Sequence, residues 1–65
     1  ARLDLGRALA AAGVYDEAMG HLVEAARRGP AREEARDAVL EVFRLLGDDH
    51  ALVKAFRPKL AAALF

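Results

Sequence analysis

The chain has 65 residues, with ten lysines and arginines against ten aspartates and glutamates and no cysteine. This length supports one domain that buries only about 60% of the surface its unfolded form exposes. Lack of cysteine excludes disulfides, cysteine zinc sites and thiol chemistry, and the charge balance gives no net pull toward nucleic acid or an anionic membrane. Alanine is abundant and arginine outnumbers lysine eight to two, a bias expected of a GC-rich bacterial genome. The chain opens ARLDLGR with no initiator Met and no secretory signal pattern, and no apolar run approaches the roughly 20 residues that span a bilayer. The missing Met and the small core predict a segment of a longer protein, with the cytoplasm as the expected compartment.

In the first stretch, residues 2–12, apolar side chains recur at Leu3, Leu5, Ala8, Leu9 and Ala12, spacings that make one helical stripe. Gly13 follows where a left-handed C-terminal residue is easiest to place. A second helix is predicted from Tyr15 to Arg28. Asp16 and Glu17 sit in its first turn, and Arg27 and Arg28 in its last, as the helix dipole favours. Its stripe is Ala18, Leu22, Ala25 and Ala26, with Met19 and Val23 beside it. Gly20 costs about 1 kcal/mol relative to alanine in a helix interior, which suggests either the close approach of another helix or mere sequence drift.

Gly29 stops the second helix, and Pro30 suits the first position of a third. The apolar residues of that helix, Ala35, Ala38, Val39, Val42, Phe43 and Leu46, widened by Leu40 and Leu45, predict cover on two sides. Gly47 ends it. Asp48 or Asp49 is the expected N-cap of a fourth helix, whose stripe is Leu52, Val53, Phe56, Leu60 and Leu64. Pro58 interrupts this pattern and predicts a kink that divides the helix into pieces over 49–57 and 58–64. The loops are short, so neighbouring helices should be antiparallel. No stretch alternates with period two.

A shift of 34 residues places Leu5 on Val39, Leu9 on Phe43, Gly13 on Gly47, Ala18 on Leu52 and Leu22 on Phe56. That period belongs to the tetratricopeptide repeat. The first copy resembles this family through Leu5-Gly6, Ala18, Leu22, Ala25 and Pro30; it departs where Arg2 replaces the usual early Trp and Leu9 the usual Tyr. The resemblance implies an all-α fold of antiparallel helix pairs in a right-handed solenoid. The expected organisation is one domain, a repeat over 1–32 and a degenerate capping repeat over 33–65. Small residues at Gly6 and Ala18 would let helices approach, with Leu5, Leu9 and Leu22 filling the space between.

The closing run also resembles the C-terminus of thioredoxin-like co-chaperones of the YbbN, or chaperedoxin, type. The carriers are Ala35-Arg36, Val42-Phe43, Leu46-Gly47, Asp48-Asp49, Leu52-Val53, Phe56-Arg57, Lys59-Leu60-Ala61 and Leu64-Phe65. The resemblance implies an upstream thioredoxin fold and further repeats, with unfolded clients and chaperones as protein partners. Pro58 departs from the family's preference for a basic helix former.

No serine, threonine or cysteine is available as a nucleophile. Carboxylate pairs such as Glu33-Glu34 are explained by a helix first turn, and no phosphate loop is present. The reading is therefore not an enzyme, with no cofactor and no metal site. His21 between Glu17 and Glu24 could in principle share a metal, but a solvated helix face accounts for the pattern better. His50 is expected as a solvated first-turn residue. Arg27, Arg28, Arg32, Arg36 and Arg44 could form an RNA surface, but Glu33, Asp37 and Glu41 interleave at ion-pairing distance. The expected partners are proteins, not nucleic acid or membrane.

The expected interaction surface is the inner groove of the repeat: Leu3, Arg7, Ala10 and Ala11 from the first helix and Glu34, Asp37, Glu41, Arg44 and Leu45 from the third. Its mixed charge does not match a Lys/Asn clamp for carboxylate tails. A rival apolar surface of Leu40, Leu45, Val53 and Phe65 would meet upstream repeats or drive self-association. The alternatives kept beside a protein-interaction role are a purely structural cap or dimerisation module and, third, an RNA-binding helical repeat.

Overall fold

A computed structural model describes residues 2–64. It contains four helices, α1 (Arg2–Ala11), α2 (Tyr15–Arg28), α3 (Arg32–Leu46) and α4 (Ala51–Leu64), and no strand among the described residues. The molecule is all-α, as the periodicity predicts, in an envelope of 30 × 27 × 15 Å.

α2 is the hub. It packs against α1, α3 and α4, whereas α3 touches α1 and α4 only lightly. Accordingly α2 supplies the largest share of the core, with Ala18, Met19, Leu22, Ala25 and Ala26 all buried. Leu3, Ala35, Val39, Val42, Phe43, Val53 and Leu60 close around them. Full burial of a side chain such as Leu22 or Met19 stabilises the fold by about 1.5–3 kcal/mol.

The connection from α1 to α2 uses few residues because each one serves twice. Val14 N–H donates to Leu9 O (2.9 Å) and Gly13 N–H to Ala10 O (3.0 Å), the pair of bonds of a Schellman motif. Gly13 takes φ 82° to allow it. Val14 then precedes α2, and its carbonyl accepts the Ala18 N–H at 3.0 Å. Gly47, at φ 92°, ends α3 in the same left-handed range.

The close approach expected at Gly6 is present. A Cβ there would lie 2.6 Å from Leu22 Cδ2 and 3.3 Å from the Ala18 carbonyl oxygen. Leu5 does not fill the interior with Leu9 and Leu22, however: it is 47% exposed, and Ala8 and Ala12 are exposed as well. The buried edge of α1 is instead Leu3 and Gly6. Gly20 has no neighbour within 4 Å of where a Cβ would stand, so close packing does not explain it.

Two other expectations are corrected. Pro30 lies in the turn before α3 rather than at its first position, which is Arg32. Gly29 is extended, with φ −92° and ψ 162°, and carries the chain away from α2 before it rewinds. α3 is not covered on two sides: Leu40 and Leu45 stay 37% and 68% exposed.

α4 runs unbroken through Pro58 instead of stopping at 57. The proline removes one backbone donor, but Pro58 and Lys54 are exposed, so water can take the freed carbonyl. Val53 on one side and Leu60 on the other are buried, and they hold both halves of the helix to the same core. Its N-terminus is Ala51, and the cap is neither Asp48 nor Asp49. His50 Nδ1 accepts the Leu52 N–H at 3.1 Å, and the His50 carbonyl accepts the Lys54 N–H at 3.1 Å. His50 is thus exposed, as expected, but it is the N-cap and not a first-turn residue. Asp48 instead meets Arg57 Nη2 at 2.8 Å.

Candidate functional site

α1 and α3 border an open groove of about 370 Å³. The walls carry Arg7, Ala10 and Ala11 on α1 and Asp37, Glu41 and Leu45 on α3; Tyr15, Leu22, Ala38 and Val42 complete it. Both sides of the groove have alanine, so the backbones stand close to its floor. Arg36 Nη2 donates to Asp37 Oδ1 at 3.1 Å. Among the described residues no ion pair within 4 Å crosses the groove from Arg7 to Asp37 or Glu41.

Six of the nine residues expected at the groove therefore line it: Arg7, Ala10, Ala11, Asp37, Glu41 and Leu45. Leu3 does not. It is buried, at the edge of a separate depression with Arg28, Gly29 and Pro30. Arg44 faces the far side of α3, in a depression with Phe43, Arg57 and Leu60. Glu34 is exposed on the α3 edge that carries Asp37 and Glu41, beyond the groove itself. Sequence reasoning missed Tyr15, Leu22, Ala38 and Val42. Tyr15 and Leu22 belong to α2, and only the packing of three helices together brings Tyr15 to the groove and the buried Leu22 beneath it.

The rival apolar surface is reduced. Val53 is fully buried, Phe65 lies outside the described residues, and Leu40 and Leu45 remain on opposite sides of α3.

Of the arginines expected to pair with acids along α3, Arg36 does so with Asp37, whereas Arg27, Arg28 and Arg32 find different partners. Arg28 Nε donates to Glu24 Oε1 at 3.1 Å, with Arg27 3.7 Å from the same carboxylate, and Arg32 Nη2 donates to the Leu64 carbonyl at 2.9 Å. Arg2 Nη1 lies 3.3 Å from His21 Nδ1, and Glu24 is engaged by the arginines of its own helix. Among the described residues no three His, Asp or Glu side chains gather as metal ligands would. No described helix is long and apolar enough to cross a membrane.

A family model described as tetratricopeptide repeat matches residues 1–65, the whole chain. The chain belongs to the tetratricopeptide repeat family. No curated protein and no solved structure matches it. Tetratricopeptide repeats are non-catalytic units that mediate contacts between proteins. The geometry agrees with stacking of such units: Gly6 against Ala18 and Leu22 sets the spacing within a helix pair, and α2 joins that pair to α3 and α4. α4 rests mainly on α2 and scarcely on α3, so α3 and α4 do not pack as closely as α1 and α2.

Proposed function

We propose that this tetratricopeptide repeat is a cytoplasmic protein-interaction module, the C-terminal repeat segment of a thioredoxin-like co-chaperone, and that the α1–α3 groove receives a segment of its protein partner. The observation that carries the binding role is the groove itself. Its floor is small and apolar, its charged groups sit at the rim, and Arg7 and Glu41 have no ion-pair partner among the described residues. Such groups meet a ligand without first breaking internal bonds, so little of the interaction energy is lost to rearrangement. The co-chaperone assignment rests on the closing run from Ala35 to Phe65 and its resemblance to the chaperedoxin tail. Clients and chaperones are the partners it implies.

The test is a client-holding and chaperone-binding assay on the parent protein with and without residues 1–65, beside the variants Arg7→Ala and Glu41→Ala. Loss of partner binding in the truncation and in the exposed-residue variants is expected. Unchanged binding throughout would leave a structural cap. The cap or dimerisation reading draws support from Leu40 and Leu45, which stay exposed and could be covered by neighbouring repeats. An RNA-binding repeat would instead show association falling steeply with salt; the pairing of Arg27, Arg28 and Arg36 with carboxylates disfavours it.

A further inference from the structure

We infer that the α1–α3 groove selects a cationic partner segment, one that presents lysine or arginine among small apolar residues. This rests on the proposal that the groove is the binding surface, and it names the partner's chemistry. The charges lining the groove are two carboxylates, Asp37 and Glu41, and one guanidinium, Arg7. Asp37 and Glu41 are four residues apart on one helix, so they project from the same edge of α3. Glu34, three residues before Asp37 and exposed, extends that edge into an acidic row about 10 Å long.

Among the described residues only Asp37 has a cation at hand, Arg36 at 3.1 Å, and that side chain is on its own helix. Nothing across the groove within 4 Å neutralises either lining carboxylate among the described residues. An acidic tail entering here would face Asp37 and Glu41 with Arg7 alone to receive it. A cationic segment would meet Glu41 unpaired and Asp37 shared with Arg36, and Ala10, Ala11 and Ala38 leave room for its backbone to come close. Each exposed ion pair contributes only about 0.2–1 kcal/mol. The selectivity is therefore modest and salt-sensitive, and it comes as much from rejecting acidic segments as from holding basic ones.

The experiment titrates the chain with three alanine-rich helical peptides alike except at positions spaced three and four apart, which carry lysine, glutamine or glutamate. At low salt the lysine peptide is expected to bind roughly tenfold more tightly than the glutamate peptide, with glutamine between. That order should collapse with salt and in Asp37→Asn/Glu41→Gln, whose fold is checked by circular dichroism. Equal binding of all three peptides, or preference for glutamate, overturns the inference and leaves the groove as a binding surface. Failure of every peptide to bind overturns both. Sedimentation of the chain alone to millimolar concentration addresses a second copy, because α4 carries Lys54, Arg57 and Lys59 and no acid. Self-association abolished by Glu41→Gln would make that copy the occupant and overturn assignment to a separate partner.

Discussion

Gly6, Gly13 and Gly20 are the same residue type with three different physical roles, and substitution separates them. At Gly20 nothing stands within 4 Å of a new Cβ and the backbone is helical, so Gly20→Ala should stabilise the chain by about 0.5–1 kcal/mol. At Gly6 a Cβ would press on Leu22 Cδ2 and Cγ at 2.6 and 2.7 Å. Leu22 is fully buried and cannot swing into solvent. Gly6→Ala should therefore cost about 1–3 kcal/mol through overpacking. Gly13 has open space around it but φ 82°, so alanine there is strained by the backbone alone, by about 1–2 kcal/mol. Urea unfolding of the three variants should rank them Gly20→Ala above the parent chain, with the other two below it. At the start of α4, His50→Ala should lose about 1 kcal/mol with the cap, and His50→Asn should retain most of it. Equal stability of these two would remove the capping role.

The informative element is α4. A proline in a helix interior is about 3 kcal/mol less favourable than alanine, yet α4 continues past Pro58. Burial of Val53 and Leu60 on either side offsets that cost. Pro58→Ala should accordingly stabilise the chain by roughly 1–3 kcal/mol, less whatever conformational entropy the unfolded chain regains. A melting temperature unchanged or lowered by Pro58→Ala would mean that the proline is not strained in α4. In the sequence alone, Pro58 reads as a break because propensity is local. The burial of Val53 and Leu60 that overrides it depends on packing against another helix, α2. The same limit applies to α3, whose apolar width predicts two covered faces while its structure leaves Leu45 exposed. A hydrophobic stripe records what can be buried, and only the arrangement of neighbours decides what is.

For the whole molecule, the core is thin and depends on α2. Leu22→Ala should cost about 2–5 kcal/mol. In a domain of this size that is enough to unfold most of the population at room temperature, since its surplus of burial over chain entropy is small. Circular dichroism melts would show a largely unfolded baseline, and a well-folded Leu22→Ala variant would mean that α2 is not the hub. The groove belongs to this scale as well. It is not carried by α1, α2 or α3 separately, and its lining draws Tyr15 and Leu22 from the helix that joins the other two.

Periodicity, glycines and the 34-residue spacing were enough to read the four helices, their order and the repeat family. Each of these is written in contacts between residues a few positions apart, or in a shift that matches like with like. Six of the nine expected groove residues were legible too, because the resemblance to a repeat assigns a concave side to the first helix of each pair. Leu3 and Arg44 were misplaced because the rotation of a helix about its axis is set by its neighbours. The roles of Pro58, Gly20 and Leu5 were also decided in three dimensions. For each of them the deciding quantity is what lies beside it, and that distance exists only once α2 has gathered the other helices around itself.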